Sequence, residues 1–366
     1  MVKYEIRKVL GSKAIILLVI IMLVLNIVQI MYKIYPENHG SLYEGKQKIL
    51  NKIEGYITQD KYNFLVNGYN DTQQKVDQGD YETDKLDKST YSGYVFGDNQ
   101  IFSELLEDYK NCINYHDNID NIIQIANENI KLTNNDEWKK YNNNLLKIYT
   151  TRNLSCYYDY TLMSDYINHE FSFLLTLVVV MMISITIFLK ESQDGTMIYF
   201  KVIRNGRKRI FWPKVFTLII FSFGISILFS IENYIIYYFL GANKGLLQPI
   251  YALAQFKLST SSISILAYLI INGMMQALGC ILFSLQISAI SRFLRYSYQG
   301  IVIGLMILIV SIFSYNLNIF SVISFSSISE LFVGNLGMST HIIKGVACFC
   351  ILIIINYRIF VSRRFL

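Results

Sequence analysis

Residues 40–46, GSLYEGK, have the spacing of a phosphate-binding P-loop, in which glycines let backbone N–H groups close on phosphate and the lysine neutralises it. Gln47 stands where a Ser or Thr would hold magnesium, and the segment opens a helical pattern with no strand before it. It offers a nucleotide neither a cradle nor a metal. His169 and Glu170 lack the second histidine of a zinc-protease pair, and His39, His116 and His341 are isolated along the chain. With no recognisable nucleophile beside a base, the residues describe a non-catalytic protein. Five cysteines include no C-x-x-C pair, which argues against a zinc site and a disulfide scaffold. Cys280, Cys348 and Cys350 lie in apolar runs as packing residues, while Cys112 and Cys156 share a polar segment where a bridge between them is one open arrangement.

Other polar residues stand out by their surroundings. Glu232 is the only acidic residue inside a long apolar run, about 18 residues past Lys214 and so roughly 27 Å along a helix. An intramembrane carboxylate is a functional candidate by default, and the plainer account is a side chain reaching interfacial water beside Asn233 and Tyr234. Asn272 and Gln276, four apart, share a helix face; they suit a pathway or, more commonly, a hydrogen bond to a neighbouring helix. Gly300 and Gly304 form one G-x-x-x-G, which lets two helices approach closely.

The elements that carry these residues follow from composition. Of 366 residues 53% are hydrophobic and 16% charged, and the mean hydropathy of +0.34 marks a membrane chain. Apolar runs at 14–32, 171–189, 215–240, 263–289, 300–315 and 342–360 predict six transmembrane helices; a run of 19 residues rises about 28 Å, close to the hydrocarbon thickness. Residues 1–12 predict an amphipathic helix lying in the membrane interface, with Val2, Ile6, Val9 and Leu10 on its apolar face. The first run is too long for a signal-peptide core and no cleavage site follows it, so it is read as an uncleaved span. Pro213 is placed to start the third span, and residues 316–340 suit a re-entrant or interfacial pair of helices.

Charge is divided unevenly. Residues 33–170 hold 14 Lys and Arg against 22 Asp and Glu, while the remainder holds 19 against 5. The short segments assigned to the inner side carry 16 basic residues and the outer ones only Lys244, Lys257 and Lys344, so both termini are cytoplasmic by the positive-inside rule. The basic residues flank apolar spans, where anchoring accounts for them without nucleic acid. The chain thus divides into residues 1–32, an extracellular domain at 33–170 and the remaining spans at 171–366. The fold class is an all-α membrane protein, six transmembrane helices with a mostly helical extracellular domain inserted between the first and second. In that domain Leu42, Ile49, Ile53 and Tyr56 mark a helix opened by a capping pair, Ser41 and Glu44. A stripe from Leu105 through Tyr109, Cys112, His116, Ile119 and Ala126 to Ile130 marks a longer helix, and Trp138, Tyr141, Leu145 and Tyr149 mark a third. Residues 67–97 read as loops.

Between the second and third spans lies a polar island, residues 190–214, KESQDGTMIYFKVIRNGRKRIFWPK, with seven basic residues. Met197, Ile198 and Val202 give an apolar helical face, and Asn205–Gly206 supplies a left-handed stop. Glu191, Gly195–Thr196, Gly206–Arg207 and Lys214 stand in the order found in permease subunits of type-2 ABC transporters, and the layout of the whole chain resembles that family. Residues 150–160, TTRNLSCYYDY, also resemble the segment before the second span in some Gram-positive members. The resemblance implies that residues 190–214 form a coupling helix that docks on a separate ABC ATPase, through Glu191, Gly195, Thr196, Met197, Ile198, Val202, Gly206, Arg207 and Lys214. It implies a dimer with a second permease copy or paralogue in a bacterial plasma membrane. ATP and magnesium would lie on the partner ATPase, with no cofactor on this chain. The cargo would be an amphipathic substrate, an antimicrobial or signalling peptide. Lipid or glycolipid export is the nearest alternative, and a membrane-anchored peptide sensor or immunity protein without transport is the reading from another class.

Overall fold

The computed structural model describes residues 1–38, 41–79, 90–193, 206–259, 261–291, 293–294, 296–317, 319–329, 332 and 337–361. Among these, helices are α1 (Val2–Leu10), α2 (Lys13–Asn38), α3 (Ser41–Ile53), α4 (Gln59–Asp77), α5 (Val95–Ile113), α6 (Tyr115–Leu132), α7 (Asp136–Tyr149), α8 (Thr161–Ile167), α9 (Phe171–Gln193), α10 (Gly206–Leu240), α11 (Ile265–Ser291), α12 (Ser297–Asn316) and α13 (Gly337–Val361). The described strands, β1 (Gly55–Tyr56) and β2 (Cys156–Tyr157), pair antiparallel. Six helical stretches are long and apolar enough to cross a membrane: Lys13–Ile34, Thr161–Lys190, Arg209–Leu240, Ile265–Ser291, Ser297–Asn316 and Thr340–Phe360. The protein is therefore a helical chain with the character of a multi-pass membrane protein.

The chain forms two compact units. The first, Met1–Val28 with Met163–Leu240 and Leu266–Leu366, contains most of the spanning helices. Its core is aliphatic and aromatic, with Val179, Ile183, Ile187, Phe211, Val215 and Leu218 packed together. Within it α9 is the central helix, contacting α1, α10 and α12. The glycine pair does what its spacing suggests: a Cβ on Gly300 would lie 2.8 Å from Leu189, and one on Gly304 would collide with the Met181 sulfur, so α12 seats closely on α9.

Pro213 lies inside α10 rather than at its start, because the helix begins at Gly206. A proline within a spanning helix is tolerated where neighbours re-satisfy the freed backbone. Gly206 accordingly opens a helix; Asn205 lies outside the described residues. The N-terminal helix also departs from expectation. Val9 of the expected apolar face is buried but Leu10 is exposed, and Glu5 is buried in its stead, where it meets Lys214 of α10. Of residues 316–340, the described portion includes a short 3-10 turn, Val322–Phe325, with Phe325 fully buried.

The second unit joins Gln29–Leu162 to Gly241–Ile265. The connection between the third and fourth spans is thus part of this unit. Its core gathers Ile49, Ile53, Leu65, Phe102, Leu105 and Tyr109 from α3, α4 and α5. Residues 67–77, expected as loop, continue α4, which Thr58 caps by accepting from the Lys61 amide. Thr72 on that stretch is buried and its hydroxyl donates to the Gly68 carbonyl. The stripe from Leu105 to Ile130 is broken into α5 and α6 at Asn114, whose amide closes α5 on Lys110 and whose carbonyl accepts from Asn118 to start α6. On α7 Trp138 and Tyr141 are exposed, and Asn142 is the residue buried against the partner helix α6.

Candidate functional site

At one end of the first unit, three helices meet at a buried charged cluster. The Glu5 carboxylate on α1 lies 3.6 Å from Lys8 and 3.6 Å from Lys214 on α10. Lys214 is fully buried and donates to the Ile187 carbonyl of α9 at 2.6 Å; Lys8 donates to that same carbonyl at 3.2 Å. The Phe188 ring lies 5.5 Å from the Lys214 ammonium. Leaving a buried charge without its partner costs about 3–5 kcal/mol, so Glu5 is what makes a lysine tolerable at this depth. Lys214 was marked by the family-like pattern; Glu5 was not. Its signal was available as the one acid on a helix otherwise basic and apolar.

The cluster joins the two helices between which residues 190–214 run, α9 leading into the stretch and α10 leading out of it. Gly195, Thr196, Met197, Ile198 and Val202 lie outside the described residues, and of Glu191, Gly206 and Arg207 only the helical backbone is described.

A second polar cluster centres on Asn26 of α2, which is wholly buried. Its amide nitrogen donates to Glu232 at 2.8 Å and to the Asn233 side-chain carbonyl at 2.7 Å, both on α10. Asn233 in turn donates to the Ser172 hydroxyl on α9 at 2.7 Å. The Asn26 oxygen meets His169 Nε2 at 3.1 Å. With the Asn26 nitrogen turned to Glu232 and Asn233, its oxygen is left for His169. Tyr237 lies beside the imidazole, 6.1 Å between ring centres, and stacks on Tyr166. Thus Glu232 is held by another span as well as being half-buried. Asn26 was overlooked in the sequence, though it interrupts an otherwise aliphatic run, which is the mark of interhelical hydrogen bonding.

Asn272 and Gln276 bond the chain after α12. Gln276 donates to the Ser326 carbonyl at 2.7 Å, and the Asn272 oxygen accepts from the Ile328 amide at 3.3 Å. They satisfy irregular backbone between spans, the use in which polar side chains substitute for absent water.

In the second unit Arg152 is buried between the rings of Tyr149 and Tyr251, 4.6 and 4.9 Å away, and donates to the Ser259 carbonyl at 2.8 Å. Tyr251 also exchanges hydrogen bonds with the Asn153 backbone, and Lys244 pairs with Glu54. These contacts fasten residues 241–265 to the domain. Lys46, the lysine of the P-loop-like string, pairs with Asp159 at 3.3 Å. The bridge between Cys112 and Cys156 is not formed; both are free thiols. Cys156 lies in β2, paired with Tyr56, while Cys112 packs at the edge of the helical core, where burial and then Asp108 push its thiol up to about 11. Among the described residues no cluster of His, Cys, Asp and Glu could hold a metal.

No family model, curated protein or solved structure matches the chain.

Proposed function

We propose that the chain is the permease subunit of a type-2 ABC exporter, working as a dimer with separate ATPase subunits to move an amphipathic substrate, an antimicrobial or signalling peptide. The observation that carries this reading is the shared use of the Ile187 carbonyl by Lys8 and Lys214, with Glu5 between the two lysines. Through it the end of one span, the beginning of the next and the N-terminal helix are fixed to one another on either side of residues 190–214. A push on that segment from a docked ATPase would move all three together, as energy transfer between subunits requires. The order of Glu191, Gly195–Thr196, Gly206–Arg207 and Lys214 supports the same assignment. ATP and magnesium belong to the partner, and this chain contributes shape changes and a path.

The test is substitution of Met197 and Val202 by Asp in the chain co-expressed with its proposed partner ATPase. Burying unpaired carboxylates in a contact costs several kcal/mol, while the basic residues that set topology are untouched. Co-purification of the ATPase and substrate-stimulated hydrolysis should be lost, with membrane insertion retained. Unchanged co-purification and transport would sink the reading in favour of a sensor.

A further inference from the structure

The first unit carries a carboxylate whose setting is more specific than structural packing requires. Glu232 is half-buried on α10, and Asn26 occupies its Oε2 at 2.8 Å. Among the described residues no cation pairs with it, and Oε1 has no protein donor. Leu228 and Ile235, one helical turn to either side, and the adjacent Ile231 are all exposed aliphatics. The carboxylate therefore stands at a polar break in an apolar surface, held from behind by Asn26, itself fixed by His169 and Asn233. An acid set among exposed aliphatic side chains on a spanning helix is suited to a partner of opposite charge.

We propose that Glu232 is a binding site for the ammonium or guanidinium group of an amphipathic cation that approaches from the lipid phase. The cationic head meets Oε1, and the apolar body lies along Leu228, Ile231 and Ile235. Asn26 acts as the positioning residue that keeps the carboxylate turned to its ligand. The inference deepens the exporter reading by naming the chemistry of the cargo, and it relies on that reading only for what happens to the cargo afterwards. An amine-bearing lipid headgroup and a free amphiphile share the required chemistry.

The experiment uses the full chain in phosphatidylcholine nanodiscs, without ATPase, titrated calorimetrically with dodecylguanidinium against empty nanodiscs. Saturable binding above the blank is expected, weakened at least tenfold in Glu232→Gln and kept within threefold in Glu232→Asp. On the unaltered chain, dodecylamine should displace the probe and dodecanol, of equal length, should not; this arm stands even where a variant fails to fold. Nanodiscs containing phosphatidylethanolamine separate the sources: weaker apparent binding assigns the site to the lipid amine, and unchanged binding assigns it to a free amphiphile. Equal binding by Glu232→Gln, displacement by dodecanol, or no binding above the blank overturns the proposal. Failure of the ATPase to co-purify would remove the exporter reading and leave this result standing.

Discussion

Lys214, wholly buried in α10, places its ammonium 2.6 Å from the carbonyl of Ile187 on α9. With Glu5 alongside, this pair ties the N-terminal helix to two spans. Lys214→Met removes one ammonium and leaves Lys8 to neutralise Glu5, whereas Glu5→Gln leaves two ammonium groups facing each other. Glu5→Gln should therefore destabilise the protein more, by about 3–5 kcal/mol, and Lys214→Met less. The double variant should lose less than the sum of the two, a coupling that thermal unfolding of all three in detergent would measure. Additive losses would show that the cluster does not act as a unit.

Arg152 is the fastener of residues 241–265. Arg152→Ala should cost about 2 kcal/mol or more, because it removes a guanidinium buried between two rings and leaves the Ser259 carbonyl without that donor. Arg152→Lys should recover only part of this, since an ammonium lacks the planar stacking surface. Limited proteolysis of the full chain should report new cleavage within 241–265 in the alanine variant. A cleavage pattern identical to the unaltered chain would contradict the fastening role.

The ion pair of Lys46 and Asp159 predicts an acid limb of stability. Burial opposes the Asp159 charge, but Lys46 and the Thr161 hydroxyl and amide outweigh it, so the carboxyl is held below the usual range. A depressed folded-state value means that the contribution is complete above the unfolded value, about 3.9, and is lost as pH falls through the folded one. Because both side chains are partly exposed, the contribution should be about 1 kcal/mol or less. The difference in melting midpoint between the unaltered chain and Asp159→Asn should be constant from pH 6 to 5 and shrink below about pH 4. A difference that grows on acidification would refute the assignment.

The spans were legible because an apolar run long enough to cross a bilayer has few other uses, and the ends of α11, α12 and α13 fall close to the runs that predict them. Periodicity was less informative at Asn114: the stripe Tyr109, Cys112, His116, Ile119 keeps helical spacing straight across the break. Nothing in residue spacing records that Asn114 ends one helix and begins another. Residues 67–77 were misread because Gly, Asn and Asp favour loops locally, and the contact of buried Thr72 with Asn99 of α5 is a tertiary fact. Both polar clusters join residues about 200 positions apart, Asn26 with Glu232 and Glu5 with Lys214. A sequence shows that each is unusual where it stands, but not that they meet.

The glycine pair of α12 allows a graded test of how tightly that helix sits on α9. A Cβ at Gly304 would meet the sulfur and Cγ of buried Met181 and then the branched Ile287. At Gly300 the added carbon meets Leu189 at 2.8 Å and Ile185 at 3.2 Å. Gly304→Ala and Gly300→Ala should each cost about 1–3 kcal/mol, as overpacking typically does. Gly300→Ile should push the two helices apart altogether. Cysteines placed on facing turns of α9 and α12, with the native cysteines removed, would cross-link in the unaltered background and in Gly304→Ala. They should fail to do so in Gly300→Ile; cross-linking that persists there would show that α12 does not depend on the close approach at Gly300.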